Sequence, residues 1–416
     1  MNAPFLMSGH LQSLLLVLTP LLFVLDLVQS VFYLAEADRR EPGEHMSHRV
    51  FYVCFLAFFG AMMFAILAPS LPLLWVAVEL TTLVSAPLIA YHRSRASLEA
   101  MWKYLLICSV GIGLALFGTM LVLHAQRLTD AAAAANWYKA GFVIVLVGYG
   151  TKTGLAPFHT WLPDAHSEAP APVSALLSGA LLNCSFLAIV RFREAMPESV
   201  APFCDRALLG LGLLSVLVAA VFMVRQTDFK RLLAYSSVEH MGLVTVVFAL
   251  LGLSAPDRQV GTLLAAALLA HVAAHSLTKT LLFQTAGNLL LAFGTRAIAA
   301  VQGLGVCMKG HAALWIAGTI LICGMPPSVL VLSELGLVLT APVWLSATVL
   351  VLLFAVFAAM TKVALAMTMG RPVSRPKPLP RSLAVVPGIL LFAVVFVGLA
   401  ACAACALAIT KGGPSL

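Results

Sequence analysis

Twelve apolar stretches, each about as long as a bilayer's hydrocarbon layer is thick, divide this chain of 416 residues. That layer measures about 30 Å and takes about 20 residues of helix to cross. Water is absent at that depth, so each peptide group must be bonded within its own segment, and a bundle of membrane helices is the solution open to such a chain. The runs extend over Leu11 to Leu34, Val50 to Leu67, Leu71 to Tyr91, Trp102 to Leu123, Phe142 to Leu162, Val173 to Phe192, Leu208 to Val224, Leu232 to Leu253, Thr262 to Leu291, Ala312 to Leu339, Val343 to Met369 and Leu383 to Ile409. Composition agrees: 61% of residues are hydrophobic and 10% charged, against roughly 25% charged in soluble domains.

Twelve crossings send alternate loops to opposite sides. One side collects Arg39, Arg40, Arg49, Arg93, Arg95, Arg225, Lys230, Arg231, Arg296, Lys309, Arg371, Arg375, Lys377 and Arg381; the other collects Arg127, Lys139, Arg191, Arg193, Arg206, Arg258 and Lys411. Fourteen cations against seven mark the first side as cytoplasmic and put both termini outside. The net charge of +8 is spread over these loops, so it reads as a topology signal and not as a nucleic-acid patch. MNAPFLMSGH carries no basic segment before its apolar run, which argues against a cleaved signal peptide. Cys54, Cys108, Cys184, Cys204, Cys307, Cys323, Cys402 and Cys405 lie almost all in apolar runs and read as small core residues; the Cys402/Cys405 spacing lacks His or acidic partners nearby.

Four lysines remain within the runs, Lys103, Lys152, Lys279 and Lys362, with the acids Asp26, Glu79, Glu239 and Glu334 inside or near them. A charge at the bilayer centre costs about 2.5 to 3.5 kcal/mol, so eight central ones would cost on the order of 20 kcal/mol, too much for decoration. Lys103 has Glu99 four residues before it and pairs with it at a helix end. Asp26 and Lys362 also read as helix-end residues. Glu79, in LPLLWVAVELTTLVSAPLIA, has apolar or small neighbours on both sides and needs a buried partner or a proton.

In LLAHVAAHSLTKTLLF, His271, His275 and Lys279 recur every four residues and form one slowly drifting stripe, rising about 6 Å per step. That spacing is too long for direct proton transfer and implies bridging water. Two of the runs are interrupted. Pro157, with Gly150 and Gly154, breaks the fifth beside Lys152, and Gly324-Met325-Pro326-Pro327 breaks the tenth before Glu334. Breaks at membrane depth are tolerated where protein or a wet cavity surrounds the freed carbonyls, and carbonyls at a helix C-terminus favour a cation such as Lys152. Two interrupted helices five apart point to repeated units, each with an ionisable residue by its break.

KTGLAPFHTWLPDAHSEAPAPVSALLSG and QTDFKRLLAYSSVEHMG resemble the two most distinctive segments of the antiporter-like, proton-translocating subunits shared by respiratory complex I, membrane-bound hydrogenases and multisubunit sodium/proton antiporters. WVAVELTTLVSAPLI, LEAMWKYLLICSVGIGLALFG and HSLTKTLLFQTAGN are most similar to the hydrogenase 4 component F branch. The twelve runs give an all-α polytopic membrane fold of about 12 helices, and the resemblance implies two inverted five-helix repeats within it, at residues 50–193 and 204–370, each containing one broken helix. Residues 1–49 then supply the first helix and a cytoplasmic loop, and 371–416 a loop and the final helix.

The resemblance further implies that Glu79 and Lys152 form a pair that modulates lysine protonation. His271, His275 and Lys279 match the central axis, and Glu334 matches the terminal residue that opens outward. Lys103, Asn183, Glu239, His240 and Lys362 form a secondary set. No cofactor is implied in this chain: iron-sulfur, nickel-iron or quinone sites belong to partner subunits. Those partners are other membrane subunits and a cytoplasmic redox module in a bacterial or archaeal cytoplasmic membrane; protons, or sodium ions, are carried, and no nucleic acid is bound.

Two departures accompany the resemblance. Family members commonly have fourteen helices, and HLQSLLLVLTPLLFVLDLVQSVFYL is similar to their third. Asn183 stands where some branches carry a bridging lysine, and an asparagine holds water without carrying the proton. Three other readings are a sodium/proton antiporter subunit without redox partner, a membrane partner in an ion-driven inorganic-carbon uptake complex, and a structural subunit without conduction, which the ionisable axis opposes. The basic-loop count predicts that cysteines introduced beside Arg39 and Arg375 react with a membrane-impermeant reagent from the same, cytoplasmic, side; reaction from opposite sides refutes the topology.

Overall fold

The computed structural model describes residues 7–40, 45–253 and 258–411, with the side chains of 258–259 and 402–411 left aside. The Cys402/Cys405 spacing therefore lies outside the described side chains. The fold is all-α and polytopic. In chain order the helices are α1 Met7–Arg40, α2 His48–Leu67, α3 Leu71–Ile89, α4 Arg95–Ala125, α5 Ala131–Thr153, α6 Trp161–Glu168, α7 Ala171–Leu176, α8 Leu182–Glu194, α9 Ala201–Val224, α10 Phe229–Leu253, α11 Arg258–Phe293, the single turn α12 Leu304–Cys307, α13 Lys309–Ile322, α14 Leu330–Thr340, α15 Val343–Thr368 and α16 Val385–Lys411. α7 and α8 join through a π-helical turn at Leu177–Leu181 into one wholly buried span. Among the described residues eleven spans are long and apolar enough to cross a membrane. The tenth run of the sequence is instead the two short apolar helices α13 and α14.

Both breaks use the same backbone device. Gly154 follows α5 with φ +82°, and the Leu155 N–H reaches back to the Gly150 carbonyl at 2.8 Å. Gly324 follows α13 with φ +68°, and the Met325 N–H bonds the Ile320 carbonyl at 3.3 Å. A left-handed residue after the last turn, with the next N–H bonded five residues back, ends a helix while filling its orphan carbonyls, and glycine adopts it without a Cβ penalty. Side chains take up what remains at the first break. Trp161 Nε1 donates to the Thr151 carbonyl at 2.8 Å, and the Ala156 N–H donates to Ser215 Oγ at 2.9 Å.

The C-terminal end of α6 is closed by cations. Lys230 Nζ donates to the Ser167 and Ala169 carbonyls at 3.1 and 2.7 Å, and Arg296 donates to the Ser167 carbonyl at 2.7 Å and to Glu168 at 2.6 Å. Positive charge at a helix C-terminus is the favourable sign. Lys230, expected as a loop cation, is thus a fully buried fastener. Arg191 is similarly engaged, donating to the Ile66 and Ala68 carbonyls at the end of α2.

Close approach of α4 and α5 rests on small residues. A Cβ at Gly148 would lie 2.6 Å from the Ala115 Cβ and the Gly111 carbonyl oxygen, and one at Gly118 would lie 2.7 Å from the Gly141 oxygen. Without a hydrophobic drive between helices in lipid, such contact is what holds them. α11 is the hub, packing on α1, α7, α10, α13, α14 and α16. Gly148→Ala should lower stability by about 1–3 kcal/mol through overpacking, whereas Gly60→Ala, with nothing within 4 Å of the new methyl, should be near neutral; thermal unfolding of the purified variants measures the difference.

Candidate functional site

Lys152 occupies the last turn of α5 and is fully buried. Its ammonium donates to Thr82 Oγ1 of α3 at 2.8 Å and to the Tyr104 hydroxyl of α4 at 2.5 Å, and lies 4.5 Å from the centre of the Tyr104 ring. The Tyr104 hydroxyl in turn is 2.7 Å from Ser85 Oγ. Glu79, on α3, accepts instead from Ser109 Oγ at 2.9 Å, while its other oxygen is buried without a partner. The two residues expected as a pair therefore share a region without touching. Thr82, Ser85 and Tyr104 were not legible as partners from sequence; Thr82 sits one turn from Glu79, and that spacing was the available signal.

Lys279, on α11, is also fully buried. It donates to the Leu233 carbonyl of α10 at 2.8 Å and, by a short bond, to Ser236 Oγ. His271 and His275 point inward with it, each about 1% exposed. His271 Nε2 lies 3.1 Å from His240 Nδ1, and His271 Nδ1 lies 2.7 Å from Ser333 Oγ on α14. His240 Nε2 approaches a Glu239 oxygen at 3.3 Å. The His275 ring centre is 5.1 Å from that of His240, and its Nε2 is buried without a partner. His240, His271 and Ser333 thus form a bonded row from α10 through α11 to α14, with Glu239 at its α10 end.

Glu334 follows Ser333 and lies where this row meets the second break. Its carboxylate rests against the bare Cα of Gly324, in space that a Cβ there would occupy. A narrow cleft beside it is lined by Leu243, Val247, His271, Ser333, Glu334, Leu337, Val349 and Leu353. The first half of the bundle reaches α11 through Asn183 of α8. Its amide nitrogen donates to Ser276 Oγ at 2.8 Å and to the Gly179 carbonyl of the π-helical turn at 2.9 Å, leaving Oδ1 buried without a partner.

The remaining candidates separate from this group. Lys103 is part-exposed and bonds Glu99 at 2.7 Å and Asp164 at 3.0 Å, with Arg231 on the other oxygen of Asp164. Lys362 is exposed on the outer side of α15. Asp26 corrects the expectation of a helix-end residue: α1 continues to Arg40, so Asp26 lies well inside it, wholly buried, 2.5 Å from Gln284 Nε2. His166 of α6 is a buried imidazole that the sequence did not single out, stacked on Phe283 with neither ring nitrogen bonded.

Among the described residues no group of His, Cys, Asp and Glu is arranged to hold a metal. The site's chemistry is that of hydroxyls, imidazoles, amines and carboxyls: it can take up, hold and pass protons. Gly324→Ala should push Glu334 from its seat and add the strain of a left-handed alanine, about 1 kcal/mol. The infrared carboxyl band that disappears in Glu334→Gln should shift in Gly324→Ala, and an unmoved band refutes this seating.

Residues 68–361, more than half of the chain, match the family described as "NADH:quinone oxidoreductase/Mrp antiporter, TM". A relative in Methylacidiphilum infernorum, named "Hydrogenase-4 component F homolog", is 38% identical over 310 residues, 69% of this chain and 62% of its own. The chain thus spans less than two thirds of that relative's length. Among solved structures, a chain of the Mrp complex from a Dietzia species superposes with a TM-score of 0.79 at 18% identity, covering 94% of this chain and 80% of that one. A chain of the archaeal membrane-bound sulfane sulfur reductase gives 0.74 at 20% identity, covering 95% and 92%. At those identities the likeness is one of fold.

Proposed function

Because the chain belongs to the NADH:quinone oxidoreductase/Mrp antiporter membrane family, we propose that it is a proton-translocating, antiporter-like subunit of a larger membrane complex. The path runs from Glu79 and Lys152 by way of Asn183 to His275, Lys279, His240 and His271, and leaves at Glu334. The observation that carries this reading is the setting of Lys152: a fully buried ammonium whose two hydrogen-bond partners are both hydroxyls. A hydroxyl both accepts and donates. Thr82 and Tyr104 can therefore serve an ammonium and, after rotating, a neutral amine, so the proton can leave without orphaning its cage. Lys279 has one such hydroxyl, Ser236, beside a carbonyl that only accepts.

Transfer between the stations uses the unpartnered polar atoms on the way, Glu79 Oε2, Asn183 Oδ1, His275 Nε2 and Glu239 Oε1, as bonding positions for water. Asn183 orients such a water between α8 and α11. Glu239 lies in electrostatic range of both Lys279 and Glu334 and couples the middle of the path to its exit.

The two breaks, ended by the same backbone device, support two related five-helix units, α2 to α8 and α9 to α15, and the excess of basic residues in one set of loops favours both termini on the outer side. The relative named for hydrogenase 4 favours a hydrogenase-type oxidoreductase, whose redox centres lie in other subunits. In proteoliposomes holding the purified complex, Lys152→Met and Lys279→Met should each abolish proton uptake while the complex still assembles, and Glu79→Gln should reduce it by about tenfold, equivalent to about 1.4 kcal/mol. Uptake at the wild-type rate in an assembled Lys152→Met complex overturns the assignment.

A further inference from the structure

A buried carboxylate outside this path lies at the contact of α1 with α11. Asp26 is wholly buried, and one of its oxygens accepts from Gln284 Nε2 at 2.5 Å. Its second oxygen has no partner, and among the described residues no cationic side chain pairs with it. One turn further along α1, Gln29 donates to Asn288 Oδ1 and to the Leu383 carbonyl, both at 3.3 Å, while Asn288 donates to the same carbonyl at 2.7 Å.

These bonds fix which way each amide faces. The Leu383 carbonyl only accepts, so Asn288 presents its nitrogen to it and its oxygen to Gln29. Gln29 must then present nitrogen to both, which leaves its own oxygen without a donor. With Asp26 ionised, as cation binding requires, turning the Gln284 amide would set oxygen against the carboxylate, so the Gln284 oxygen is left over as well. The result is three buried oxygens at adjacent levels of the contact between α1 and α11, Asp26 Oδ2, Gln29 Oε1 and Gln284 Oε1, and none receives a hydrogen bond. Buried acceptors are normally satisfied, and an unsatisfied one calls for a ligand or a reason.

The donor set is all oxygen and, with Asp26 ionised, carries one negative charge. Soft metals prefer sulfur or imidazole, and a divalent ion would leave a net positive charge buried at membrane depth, which is costly. A single hard monovalent cation neutralises the carboxylate and uses the two amide oxygens together. We propose that Asp26, Gln29 and Gln284 form a binding site for one sodium-sized monovalent cation, separate from the lysine and histidine path. The site rests on the bonding of α1 to α11 and does not depend on proton translocation.

The test is binding of radioactive sodium to the purified complex in detergent, followed by proximity scintillation across pH. A saturable component is expected that weakens as the pH falls, because protons compete for Asp26. Asp26→Asn, close in shape, should weaken it by about tenfold or more, and Gln29→Met should weaken it while removing no charge. Lys152→Met should leave it in place even where proton uptake is lost. The proposal is overturned if the wild-type complex has no saturable sodium component, or if an assembled Asp26→Asn or Gln29→Met complex binds sodium with unchanged affinity. Should the asparagine variant fail to assemble, the Gln29→Met measurement decides.

Discussion

A peptide group left unpaired in hydrocarbon costs several kcal/mol, and the rest of this structure depends on how that cost is avoided at two helix ends. α5 and α13 stop inside the bundle, each at a left-handed glycine that turns the last carbonyls back on the following N–H groups. Trp161, Ser215, Lys230 and Arg296 bond what is left around the first break and around the end of α6. Once the ends are closed, the break becomes a place where a side chain can sit at depth without facing lipid. Lys152 takes that place at one break and Glu334 at the other.

The buried lysines differ from ordinary buried ion pairs. Removing one partner of a buried salt bridge leaves an uncompensated charge and typically costs about 3–5 kcal/mol. A carrier locked in such a pair would hold its proton too firmly to pass it on. Lys152 is instead bonded to Thr82 and Tyr104, with Glu79 occupied by Ser109. The carboxylate can bias the lysine through space, and the direct contacts stay indifferent to its charge.

Much of this was legible in the sequence, because its signals are local. Apolar runs report crossings, Pro157 and Pro327 with their glycines report breaks, and the four-residue spacing of His271, His275 and Lys279 reports a shared inward face. What escaped depends on which helices meet. Asp26 reads as a helix-end residue because the apolar run stops at Leu34, while the helix continues through polar residues to Arg40. Lys230 reads as a loop charge because nothing in its own segment reveals that the end of α6 lies against it. Tyr104, Ser236 and Ser333 belong to residue types common in any helix, and only packing against Lys152, Lys279 and His271 sets them apart.

α11 runs for 36 residues and contains no proline. His271, His275, Lys279, Gln284 and Asn288 therefore hang from one rigid rod, about 1.5 Å of rise apart per residue. A rod of this kind works as a ruler: any shift moves all five marks together and leaves their spacing unchanged. On the proposed path, timing between neighbouring stations would come from the helices that face the ruler. α10 meets Lys279 through Ser236 and His271 through His240, α14 meets His271 through Ser333, and α1 meets Gln284 through Asp26 and Asn288 through Gln29, so three different helices bear on the rod. On the proposed path the order in which those neighbours engage, and not any stretching of α11, would set the sequence of events along it.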